Sequence, residues 1–160
     1  MLIKELFSEY TDNIPNPVGR GELLKICHSK DGKQMVLFAK FTQLQRFDNL
    51  DEFERAAAKA VGLDYLCVKC RYTPDMLDAK YTGEAVKRLK QDMAVINGHL
   101  NGAFYYIDDN IVHIELKRGG AELLSRAGFE NALAKLLNEE FSVKLTVKLI
   151  EKQTEQDNDY

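Results

Sequence analysis

The chain has 160 residues, 45% of them apolar and 29% charged, with a formal net charge of −3. That balance belongs to a folded globular chain, long enough for one ordinary domain or two small ones, and excludes a disordered or fibrous one. No run of about 18 apolar residues is present to span a bilayer as a helix, and the charge lacks the basic excess of a strong nucleic-acid binder.

Charge is spread evenly through most of the chain. Residues 1–79 carry 11 basic and 12 acidic side chains, residues 80–150 carry 10 and 9, and residues 151–160 carry one lysine and four acids. The start is amphipathic and has an early acid, Glu5, unlike a basic-then-apolar secretory leader. A cytoplasmic location is therefore expected, with the three cysteines reduced.

In chain order, residues 2–10 place Leu2, Ile3, Leu6, Phe7 and Tyr10 on one helical stripe. A linker broken by Pro15 and Pro17 follows. Two apolar runs, 20–28 and 33–42, flank Asp31-Gly32, a hairpin signal because glycine reaches positive φ without a Cβ clash. Asn49 and Glu52 read as a capping pair for a helix that runs to Val61 and stops at Gly62, with Leu50, Phe53, Ala57 and Val61 facing inward. Residues 63–72 read as a strand.

The same order then recurs. Thr82 is expected to cap a helix carrying Val86, Leu89, Met93, Ile96 and Leu100 at steps of three and four, with Gly98 and Gly102 near its end. Residues 103–107 and 111–117 form a second hairpin around Asp108-Asp109-Asn110, and one of Tyr105 and Tyr106 must face the core while the other faces out. Helices over 121–126 and 129–139 and an alternating strand over 142–150 complete the chain. The predicted fold is α+β: two tandem helix–hairpin–helix–strand units, each a three-stranded sheet covered by helices. The boundaries are residues 1–73, a linker 74–81, residues 82–150, and a disordered acidic tail 151–160.

Four features are candidates for chemistry or binding. Cys67-Val68-Lys69-Cys70 is a C-x-x-C, the spacing of metal and redox sites, and Cys27, His28, His99 and His113 are the pool for further ligands. Its placement inside a strand turns the two thiols to opposite faces, which favours two packed small side chains over a chelate. Asp108-Asp109 reads as a polar hairpin turn, since metal-dependent transfer gathers carboxylates from several elements. Lys117, Arg118 and Arg126 flank a helix start at Gly119-Gly120, where backbone N–H groups can hold a phosphate. Gly19-Arg20-Gly21 leads into a strand and lacks phosphate-loop geometry.

The second unit resembles a type II KH domain in its order of helix, two strands, two helices and strand. KH domains that bind nucleic acid clamp it with a G-x-x-G loop between the paired helices. The matching place is Ser125-Arg126-Ala127-Gly128, which keeps only the second glycine. A resemblance over residues 2–150 is closer. Glu22–Ile26 with Met35–Phe41, Asn110–Leu116, Gly120–Leu124 and Phe129–Glu139 are similar to the N-terminal region of PolC, the replicative DNA polymerase α subunit of low-GC Gram-positive bacteria. The second unit is also similar to the KH-like C-terminal domain of the clamp-loader τ subunit, a protein-docking module.

The resemblance implies a non-catalytic leading region of a DNA-directed DNA polymerase, followed in the parent protein by OB, PHP, exonuclease and polymerase modules. It implies docking of replisome proteins, the clamp-loader τ subunit among them, and supplies no catalytic residue, cofactor or metal. The alternative is a KH-like module that binds single-stranded DNA through Lys117, Arg118, Ser125 and Arg126. A small thiol or zinc enzyme built on Cys67 and Cys70 is the third reading.

Overall fold

A computed structural model describes residues 1–96 and 98–151. It divides into two compact units, Met1–Met76 and Leu77 onward. The expected α+β architecture is observed, with a three-stranded mixed sheet and its own helices in each unit. No helix among the described residues is long and apolar enough to cross a membrane.

The first unit runs α1 (Ile3–Phe7), α2 (Asn16–Gly19), β1 (Glu22–His28), β2 (Gln34–Lys40), α3 (Phe47–Val61) and β3 (Tyr65–Arg71). The opening stripe yields only the short α1. Ile3 and Phe7 are buried, but Tyr10 lies beyond the helix and is exposed. The proline-containing stretch is not wholly a linker. Pro17 stands near the start of α2, where a missing N–H costs little, and Val18 is buried.

Strand β1 pairs antiparallel with β2, and β2 pairs parallel with β3. The β1–β2 turn has Gly32 at φ 72°, and the Ser29 hydroxyl and the Lys33 amide hold the Asp31 carboxyl below its ordinary range. Helix α3 closes one face of the sheet through Leu50, Phe53 and Ala57, with Phe7 edge-on to Phe53 at 5.3 Å. It starts at Phe47 after Arg46, two residues before the expected Asn49 cap, and no side chain caps it. The buried Leu50 already donates its N–H to the Arg46 carbonyl, so packing of the first turn fixes the start. The helix ends as expected on Gly62, at φ 74°. Glu54, buried in α3, accepts the Val68 N–H of β3 at 2.6 Å and ties helix to edge strand.

The second unit runs α4 (Tyr81–Lys90), a 3-10 turn (Ala94–Ile96), β4 (Phe104–Asp108), β5 (Ile111–Leu116), α5 (Ala121–Arg126), α6 (Phe129–Phe141) and β6 (Thr146–Glu151). This is the element order that the KH resemblance implies. Its sheet repeats the first one's plan, with β4–β5 antiparallel and β5–β6 parallel. Asp109 and Asn110 both take positive φ (50° and 60°) in the two-residue turn between β4 and β5, which matches the twist of the flanking strands.

Three expectations for this unit are corrected. Thr82 is not a cap: it lies inside α4, fully buried, and the cap position is Lys80. Helix α4 stops at Lys90, so Met93, Ile96 and Leu100 lie on the turns that follow. Ile96 and Leu100 are still buried there, because successive tight turns can meet a core at similar spacing. Around α6, Tyr81 packs edge-on to Phe141 at 5.4 Å and donates its hydroxyl to buried Glu140 at 2.9 Å. Asn138 bonds both the N–H and the carbonyl of Leu145, steering the chain into β6. Strand β6 begins at Thr146, later than the expected residue 142, because Ser142 at φ 53° still belongs to the end of α6. The tail over 152–160 lies outside the described residues.

Candidate functional site

The strand alternation turns Cys67 and Cys70 to opposite faces of the first sheet. Cys67 stands across from Val36 and is half-buried, while Cys70 stands across from Ala39 and is buried. Among the described residues, no three His, Cys, Asp or Glu side chains gather as metal ligands would.

The expected contact residues of the second unit lie on two separate stretches. Lys117 and Arg118 follow β5, and Ser125 and Arg126 end α5. All four are exposed. Lys117 lies along Gly102, where an added Cβ would meet its side chain at 3.0 Å. Ser125 donates to Glu130 at 2.9 Å, and Arg126 pairs with Glu122 at 2.6 Å. The loop that matches G-x-x-G is thus flanked by carboxylates.

The helix start at Gly120 is also engaged. Glu151, expected in the tail, is the last residue of β6, and its Oε1 accepts the N–H groups of Gly120 (3.1 Å) and Ala121 (2.9 Å). Gly120 is required there. Its φ is 114°, and a Cβ would stand 2.5 Å from the His99 ring. A phosphate at this corner would have to displace a carboxylate that the fold itself supplies, so the positive end of α5 has an internal partner.

Sequence reasoning missed the solvent face of the second sheet. The pairs Tyr105–Ile114 and Ile107–Val112 point toward the helices, so Tyr106 points away from them. Burial pushes the Tyr105 hydroxyl above its ordinary pKa of 10. On the outer face Tyr106 stacks on His113, its cross-strand partner, with centroids 4.5 Å apart and planes 9° from parallel. Phe104 leans on Tyr106 at 5.9 Å and is 60% exposed. Register adds Ile150 and Glu115 beside Phe104, and Lys148 beside His113. The result is an aromatic strip with both signs of charge around it. The alternation of β4 carried the signal, but the phase of that alternation depends on the turn.

A groove of about 550 Å³ runs between α6 and the edge strand β6. Ala134, Leu145 and Val147 form its apolar floor.

No family model matches this chain, and no curated protein sequence matches it.

Proposed function

We propose that the chain is a non-catalytic docking region of a PolC-type bacterial replicative DNA polymerase, and that it holds a replisome protein, the clamp-loader τ subunit, on the solvent face of its second sheet. The observation that carries this is Phe104, 60% exposed at the end of the Phe104–Tyr106–His113 strip. A large aromatic left in water on a rigid sheet is the usual anchor of a protein interface, and mixed charge around it suits a protein partner better than a polyanion. Asp108, Glu115 and Lys148 supply that mixed rim. The apolar spacing shared with PolC over residues 2–150 supports the parentage.

Titration calorimetry of the whole chain against the τ subunit tests the reading. Saturable binding is expected. Absence of heat and of co-elution at high micromolar concentrations would remove the docking assignment.

The KH-like nucleic-acid reading has less support at its own loop, because Glu122, Glu130 and Glu151 hold the groups a phosphate would use.

A further inference from the structure

The first unit, Met1–Met76, carries 11 basic and 11 acidic side chains, yet its charge is segregated. Lys40, Lys69 and Arg71 share one face of the sheet with Phe38, since Phe38 pairs with Lys69 and Lys40 with Arg71, and Leu37, Ala39, Val68 and Cys70 point the other way, into the core. Lys25 joins them through a bulge. The register between β1 and β2 slips after Leu23, so Leu24 is the extra residue, and Lys25 falls opposite Phe38. Without the bulge simple alternation would turn Lys25 toward the helices. Bulges commonly re-aim a side chain in this way.

Phe38 therefore stands among cations from both neighbouring strands. Lys25 Nζ lies 5.7 Å from its ring centroid, and the Arg71 guanidinium carbon lies 5.2 Å from it. Lys25, Lys40 and Lys69 are exposed. In the same rows of the ladder the only acid is Glu22, opposite Lys40.

We propose that this face is a binding site for single-stranded nucleic acid. Four cations on one sheet face complement a phosphodiester backbone, and an aromatic ring with a guanidinium beside it is a platform on which a base stacks without regard to sequence. An acidic peptide would satisfy the cations but gain nothing from the ring. The site is independent of the docking reading, lies on the other unit, and stands or falls alone.

The test is fluorescence polarisation of a labelled oligo-dT with the whole chain. With three to four phosphate contacts, affinity is expected to fall about 20- to 50-fold between 50 and 200 mM salt. The double variant K25E/K69E should lose binding, and F38L should weaken it about tenfold or more, the loss of one stacked base. The variant R126A should bind as the parent does. Circular dichroism and the melting midpoint check that each variant is folded. The proposal is overturned if no polarisation change occurs at 50 mM salt with up to about 100 μM protein. It is equally overturned if K25E/K69E, folded, binds undiminished, or if a polyglutamate peptide competes equally well and F38L costs nothing.

Discussion

Glu151 shows how one side chain can change the reading of a surface. Its carboxylate reaches from the end of β6 to the N–H groups of Gly120 and Ala121, 31 and 30 residues back in the chain. An acceptor at a helix start satisfies orphan donors and meets the positive end of the dipole, together worth about 1 kcal/mol. We expect Glu151→Ala to lower the melting midpoint by about 4–8 °C, the shift that loss implies for a small domain. Glu151→Gln should recover part of it, as differential scanning calorimetry would show. Tyr105 gives a second residue-level expectation. Burial disfavours its phenolate, so its folded pKa lies above 10. The stability this group contributes is complete below about pH 10 and is lost as pH rises through the higher folded value. The absorbance titration of the parent minus that of Tyr105→Phe should show one phenol ionising above pH 10. A midpoint at or below 10 would place that ring in water. Neither residue was legible in the sequence. Glu151 sits among polar tail residues, and Tyr105 and Tyr106 are chemically identical until the turn sets their phase.

The end of α3 was read better than its beginning. Gly62 stops α3 because its backbone needs positive φ, a local demand visible in one residue. The starts of α3 and α4 depend on which apolar side chains reach a core, a tertiary matter that moved the first turn away from Asn49 and enclosed Thr82. The same contrast makes a prediction at the end of α6. Ser142 adopts φ 53°, the conformation that Gly62 has at the end of α3. A left-handed residue with a Cβ costs about 1–2 kcal/mol, part of which glycine returns through unfolded-state entropy. Ser142→Gly should therefore raise the urea midpoint by the equivalent of roughly 0.5–1 kcal/mol. Gly62→Ser should lower it. In the middle of α3, Glu54 supplies a buried acceptor to Val68. Removing it as Glu54→Ala leaves a donor in the core and should cost about 1–3 kcal/mol in the same assay.

At the scale of the whole molecule the two units repeat one plan, a hairpin followed by a parallel strand with helices on one face. Element order alone made that repeat legible. What the order did not reveal is how differently the two outer faces are furnished. The first holds Phe38 among Lys25, Lys69 and Arg71; the second holds Phe104, Tyr106 and His113 with Asp108, Glu115 and Lys148 around them. Helix-facing positions are constrained alike by packing, whereas outer positions answer to whatever the face meets, so their composition carries the functional signal. For the second face, truncating the exposed ring is the most direct probe. Phe104 contributes little to its own core, so Phe104→Ser should leave the melting midpoint within about a degree or two, as surface substitutions do. Affinity for the τ subunit should nevertheless fall at least about tenfold, or 1.4 kcal/mol, because an interface anchor loses its buried area all at once. Equal affinity of the folded variant and the parent would move the docking site off this sheet, with the groove between α6 and β6 as the next surface to substitute.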